Sequence, residues 1–260
     1  MPHARPPSAD PRPAFVPVAP ARVETADGAI LFDAARLAQA DATLFDPRRW
    51  DRAGAPVATR GGRGAVWRIS GEFGDGVLRH YRRGGLVARL VRDRYPWHGE
   101  DATRSFREFR LLANLVERDL PVPRPLAAGY RRAGLTYRAD LLTELVPDAR
   151  TFAETFADAA SWPAVGGTLA RFHRDGVWHA DLNAHNVLID ARGTVWIIDF
   201  DRGRLRAPDA AWQQTNLLRL RRSLHKLGAE VDGGSARWTA LLGAYVDAGG
   251  DATAAEGAAR

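Results

Sequence analysis

The segment His179-Ala180-Asp181-Leu182-Asn183-Ala184-His185-Asn186 runs directly into Val187-Leu188-Ile189, and a second apolar run, Thr194-Val195-Trp196-Ile197-Ile198, leads to Asp199-Phe200-Asp201. Between the runs stands Asp190-Ala191-Arg192-Gly193, a cluster of turn formers, so the pair reads as a short β-hairpin. A hairpin carries its second strand back to the start of its first. Asp181 and Asn186, which precede it, therefore converge in space with Asp199, which follows it. Phosphoryl transfer from ATP needs such a set: a carboxylate to take a hydroxyl proton, beside oxygen ligands for a hard cation. Asp181 is expected to accept the acceptor-hydroxyl proton, Asn186 to hold one Mg²⁺, and Asp199 to hold metal bridging the ATP phosphates. Either acid alone reads equally well as a loop or strand-end carboxylate. The three residues together, in register about a hairpin, carry the reading.

A competing reading takes His179, Asp181 and His185 as a metal-hydrolase cluster, since imidazole and carboxylate at short spacing hold transition metals. It leaves Asn186 and Asp199 without a purpose, and no H-E-x-x-H pair supports it. His179 is expected instead to brace the loop near Asp199 by hydrogen bonding.

Upstream, Val66-Trp67-Arg68-Ile69 and Val77-Leu78-Arg79-His80-Tyr81 flank a turn centred on Gly71 to Gly76. Gly61-Gly62-Arg63-Gly64 precedes the first strand, and Gly62 and Gly64 are candidates for a loop covering the nucleotide phosphates, where a missing Cβ admits close backbone approach. Trp67 stands where a third glycine of the usual pattern would be. A cation is needed over the α- and β-phosphates, yet the chain has no lysine before Lys226. Arg79 is the best-placed substitute. Phe106, Phe109, Leu112 and Val116 recur at three- and four-residue steps, predicting a helix over 104–117. Glu108 on that helix is expected to orient Arg79 through an ion pair, although Ser105-x-x-Glu108 also reads as a capping box. Thr143 to Val146, with Glu144 and Val146 at its core, is the expected hinge reading adenine through backbone groups.

The pattern predicts a two-lobed, protein-kinase-like α+β fold: a β-rich N-lobe with one long helix, then a mostly helical C-lobe. Residues 1–22, rich in proline, are expected to be extended or disordered. The N-lobe is placed at 23–146, opening on an ambiguous stretch to about Pro56, and the C-lobe at 147–260. Strands are expected near Leu126–Tyr130 and Leu135–Glu144. Helices are expected from Ser161 to His173, over Ala210–Leu227 and over Arg237–Val246, with a frayed end beyond Gly249.

At 260 residues the chain is long enough for a substantial core, and its formal charge of +6 suits anionic partners without selecting among them. The excess is almost entirely arginine, which favours bidentate phosphate and carboxylate recognition; a GC-rich coding bias predicts the same composition. Cysteine is absent, which excludes disulfides and thiolate metal sites. No apolar stretch is long enough to span a membrane, and no secretory signal is evident, so a cytoplasmic location is expected.

Three segments give the sequence a resemblance to the bacterial lipopolysaccharide-core kinases: His179–Asn186, Ile198-Asp199-Phe200-Asp201-Arg202-Gly203-Arg204 and Leu78-Arg79-His80-Tyr81-Arg82-Arg83-Gly84-Gly85-Leu86. The resemblance covers roughly residues 60–225. It implies ATP-dependent transfer to the 4-hydroxyl of a 3-deoxy-D-manno-octulosonic acid (Kdo) sugar on a lipid A precursor, at the cytoplasmic face of the inner membrane. Ala180 replaces the arginine of the protein-kinase loop and Asp201 the glycine after Asp199-Phe200, which favours a small or glycolipid acceptor over a protein. Arg82, Arg83, Arg89, Arg92 and Arg94, interleaved with apolar residues up to Trp97, make a surface suited to lipid phosphates and sugar carboxylates on an anionic leaflet, and read equally well as a solvated arginine-rich loop. Arg219-Leu220-Arg221-Arg222 is a second such candidate. A heptose kinase is the neighbouring alternative. A non-catalytic anion- or membrane-binding module is the alternative of another class, and no nucleic-acid partner is expected.

Overall fold

The computed structural model describes residues 16–50, 66–82, 93–231 and 235–259. The N-terminal half is built on a seven-stranded antiparallel sheet. Its strands are β1 (Pro20–Thr25), β2 (Gly28–Asp33), β3 (Val66–Gly71), β4 (Gly74–His80), β5 (Tyr95–Pro96), β6 (Pro125–Ala133) and β7 (Thr136–Glu144). Their order is β1-β2-β6-β7-β4-β3, and β5 adds to β7. Helix α1 (Arg104–Glu117) lies on one face.

Period-two alternation sorts the strands between two cores. Ala29, Leu31, Ala128, Tyr130, Ala139 and Leu141 join the core beneath α1. Ile30, Phe32, Leu78, Leu126 and Leu142 face the other way, onto Leu44 and Phe45. The amphipathic stripe expected on α1 is buried at Phe106, Phe109 and Leu112, but its fourth member is Leu115, with Val116 only partly buried.

The C-terminal half begins with β8 (Arg150–Thr151), α2 (Phe152–Thr155), α3 (Ser161–Arg174) and β9 (Val177–Trp178). The hairpin β10 (Val187–Ile189) and β11 (Val195–Ile197) follows, then β12 (Arg204–Leu205), α4 (Ala210–Lys226), α5 (Ala236–Asp247) and α6 (Ala252–Ala259). Strand β10 pairs with both β11 and β8, so the chain entering this half is tied to the hairpin. Helices α3 and α5 approach so closely that a Cβ on Gly166 would lie 2.1 Å from the Leu241 carbonyl oxygen.

Three expectations are corrected. Pro20, Ala21 and Arg22, assigned to the N-terminal tail, open β1. The ambiguous stretch after residue 22 contains a regular β1–β2 hairpin, which Asp27-Gly28 at its turn signals. The end beyond Gly249 is not frayed: α6 packs on α4, burying Ala254, Ala255 and Ala258, and the Ala258 carbonyl accepts bonds from Trp238 Nε1 and Arg221 Nη1, both at 3.1 Å. Alanine at every buried position lets the helices approach closely, which a search for large apolar residues does not detect.

Candidate active site

The loop from His179 to Asn186 is held from below by α4. Asn216, 1% exposed, brackets His179: its Oδ1 accepts from the His179 N–H at 3.2 Å, and its Nδ2 donates to the His179 carbonyl at 3.0 Å. Two turns on, the Ser223 hydroxyl accepts from the Ala184 N–H at 3.1 Å. Within the loop, the Asp181 N–H donates to His179 Nδ1 at 3.1 Å. The ring's proton therefore sits on Nε2, which donates to the Ile198 carbonyl at 3.0 Å. Burial lowers the pKa of His179 and keeps it neutral. His179 thus ties the loop to the residue before Asp199, and with both ring nitrogens committed it is unsuited to the hydrolase cluster.

The hairpin brings its ends together: the Ile198 N–H donates to the Asn186 carbonyl at 3.0 Å. Asn186 Nδ2 donates to the Asp181 carbonyl at 2.9 Å, so the amide oxygen is its remaining polar atom. The Asp181 carboxylate is half-exposed and lies 3.8 Å from Arg219 Nη1. Asp199 has φ of 64°, the left-handed region that acidic and amide side chains tolerate better than most.

Arg79, on β4, reaches across to this loop. Its Nη1 pairs with Asp199 Oδ1, and its Nη2 pairs with Glu108 Oε2 at 2.5 Å. The Tyr81 hydroxyl, two residues along the same strand face, donates to Glu108 Oε2 and accepts from Arg79 Nη2 at 3.2 Å. The Arg79 guanidinium also lies over the Tyr81 ring, 4.7 Å from its centroid. Burial opposes the charge on Arg79, but Asp199 and Glu108 prevail and raise its pKa. One cation serves two acids, and their pKa values part: burial pushes Glu108 up to about 7 despite Arg79, while at Asp199 the effect of burial is outweighed by Arg79 and the carboxyl is held low. The capping-box reading of Glu108 fails, because the helix N-cap is Thr103 and the Ser105 hydroxyl donates to the Gly129 carbonyl at 2.9 Å.

Around Thr143–Val146 two backbone donors are already committed. The Glu144 N–H donates to the Arg124 carbonyl at 2.8 Å, and the Leu145 N–H to the Asp75 carbonyl at 2.9 Å. The Glu144 side chain pairs with Arg36 at 3.2 Å, and Val146 is buried. The expected backbone reading of adenine is narrowed accordingly to what these two bonds leave. Gly62 and Gly64, with Arg83, Arg89 and Arg92, lie outside the described residues.

Several contributors were not assigned from sequence. Tyr81 follows Arg79 by two residues, a spacing that puts both on one strand face. Arg104 pairs with Asp201 at 3.1 Å from a position four residues before Glu108, one turn away on the same helix. Asp201 Oδ1 is buried without a hydrogen-bond partner, and burial raises the pKa of this acid against the pull of Arg104. Asn216 and Ser223 had no local signal.

The lipopolysaccharide kinase (Kdo/WaaP) family model matches residues 48–245, which include all of these side chains except Arg36. The chain belongs to this family. Membership marks it as a phosphotransferase and accounts for its two-part α+β architecture. Relatives include a 3-deoxy-D-manno-octulosonic acid kinase of Xanthomonas axonopodis pv. citri (strain 306), 55% identical over 213 residues, spanning 81% of this chain and 85% of the relative. A protein of the same name from Stenotrophomonas maltophilia (strain R551-3) is 53% identical over 214 residues, spanning 81% and 86%. A solved structure, WaaP in complex with acyl carrier protein, matches with a TM-score of 0.52 at 16% identity, covering 78% of this chain and 85% of that one; at such identity it speaks for the fold alone.

Proposed function

We propose that this member of the Kdo/WaaP family transfers the γ-phosphoryl group of ATP to the 4-hydroxyl of Kdo on a lipid A precursor, in assembly of the lipopolysaccharide core. The observation carrying the substrate is the 55% identity to a Kdo kinase over most of both chains. The chemistry rests on the convergence of Asp181, Asn186, Asp199 and Arg79.

Asp181 is the base: its carboxylate is half-exposed, so an acceptor hydroxyl can reach it and lose its proton to it as the new P–O bond forms. Arg79, held by Glu108 and Tyr81, offers its fixed charge to the nucleotide phosphates, and the chain at Glu144 and Val146 borders the adenine. Asn186 and Asp199 suit Mg²⁺, because both offer hard oxygen atoms and the orientation of Asn186 leaves its amide oxygen for a ligand. An ion held by Asn186 and Asp199 would take its remaining ligands from nucleotide phosphates and water. Bound there, Mg²⁺ supplies charge neutralisation for the phosphates and for the group in transfer. Peripheral attachment to the cytoplasmic face of the inner membrane, through basic residues such as Arg82 and Arg94, fits a lipid-linked acceptor and a net charge of +6. No helix among the described residues is long and apolar enough to cross a membrane.

The test is transfer of labelled γ-phosphate from ATP to a Kdo-bearing lipid A precursor by the wild-type chain and by Asp181→Ala. Label on Kdo with wild type and its loss by about 10³-fold or more in the variant is expected. Equal labelling by both would sink the mechanism. Transfer to a heptose acceptor but to no Kdo acceptor would sink the substrate.

A further inference from the structure

The three arginines of Arg219-Leu220-Arg221-Arg222 have separate fates. Arg221 is a staple, its Nε donating to the Val231 carbonyl at 2.6 Å and its Nη1 to the Ala258 carbonyl. Arg222 is exposed. Arg219 alone turns towards the site. It lies between Asn216 and Ser223 on the α4 face that grips the loop, so its guanidinium enters where both ends of that loop are fixed.

Once there, its donors remain unspent. Nη1 stands 3.8 Å from Asp181 Oδ1, near enough for attraction and too far for a hydrogen bond. Nε is buried without a hydrogen-bond partner. The side chain keeps 39% of its surface exposed, so a ligand can reach the guanidinium and satisfy a donor that packing leaves unmatched. Arg79 comes from the N-terminal sheet and meets the metal-type carboxylate Asp199; Arg219 comes from α4 and approaches Asp181. Each end of the transfer line thus has its own arginine. With the nucleotide at Arg79, the position of Arg219 belongs to the acceptor.

We infer that Arg219 is the specificity residue that binds the carboxylate of a sugar-acid acceptor and so presents its hydroxyl to Asp181. This rests on the reading of Asp181 as the base and of Kdo as the acceptor. A guanidinium fork takes a carboxylate through two parallel N–H bonds, which fixes the orientation of the sugar as well as its affinity. Neutral sugars of similar shape lack that handle.

The experiment compares two acceptors, the Kdo-bearing precursor and its analogue with the Kdo carboxylate reduced to an alcohol, using the full chain and the variants Arg219→Gln and Arg219→Lys. Wild type is expected to favour the carboxylate acceptor by about 10- to 100-fold in kcat/KM, the worth of a charge-assisted pair. Arg219→Gln loses that preference, with acceptor KM rising by a similar factor and the KM for ATP nearly constant. Arg219→Lys, charged but unforked, falls between. Equal use of both acceptors by wild type overturns the proposal without any variant having to fold. So does a preference that survives in Arg219→Gln, or a loss confined to kcat, which would place Arg219 on the phosphoryl group. Transfer to neither acceptor by wild type overturns the Kdo reading and this inference with it.

Discussion

Arg104 and Asp201 form a 3.1 Å ion pair that joins the first turn of α1 to the loop following Asp199. Glu108, one turn further along the same helix, holds Arg79. A single helix therefore sets both the cation expected at the phosphates and the loop expected at the metal. Both members of the Arg104–Asp201 pair are about three-quarters buried, and Arg104 is steadied by the Tyr95 ring 4.7 Å away, so solvent screens this pair less than a surface one.

Arg104→Ala and Asp201→Ala should each lower kcat/KM for MgATP by about tenfold, and the double variant should be little worse than either single one. A double-mutant cycle on steady-state rates measures this. Fully additive losses would mean that the two side chains act independently.

Asn216→Ala removes both bonds that bracket His179 and leaves a buried backbone donor and acceptor unmatched. The expected destabilisation is about 2–4 kcal/mol, against about 1 kcal/mol for Ser223→Ala, which breaks one bond. Urea unfolding of the three chains, with unchanged m-values, gives the comparison.

The pH dependence of stability carries a signature of Glu108. Unfolded, its carboxyl ionises near the ordinary 4.5; folded, it keeps the proton to about 7. Its contribution is therefore complete below 4.5 and is lost as pH rises through 7. Glu108→Gln is neutral throughout. The wild-type melting temperature should fall relative to that of Glu108→Gln as the pH is raised from about 5 to about 8. A wild type that gains on the variant over that range would show that the Arg79 pair outweighs burial.

Two neighbouring glycines of α3 should respond oppositely. Gly166→Ala drives a Cβ into the Leu241 carbonyl and should cost about 1–3 kcal/mol or more by forcing α3 and α5 apart. At Gly167 the nearest atom to a new Cβ is 3.9 Å away, so Gly167→Ala should stabilise the chain by about 0.5–1 kcal/mol through helix propensity. Calorimetric melting of both variants separates the cases.

Much of the site is local in sequence, and that part was legible. A hairpin returns its ends to one place by its own geometry, so Asp181, Asn186 and Asp199 could be assembled from spacing and turn residues. The amphipathic repeat of residues 104–117 and the strand carrying Arg79 are likewise short-range patterns, set by backbone period and burial. The tertiary structure alone decided among partners that spacing leaves open. Glu108 had two local uses, and the packing of α1 on the sheet chose Arg79 and Tyr81 over a helix cap. Asn216, Ser223 and Arg219 act on a loop some forty residues earlier, and only the seating of α4 beneath it brings them there. The C-terminal helix, whose buried residues are alanines, has its place because α4 and α5 offer a surface to cover. Backbone period writes the elements, and the side chains each one carries, into the chain; contacts between distant elements depend on how those elements pack, which no local pattern encodes.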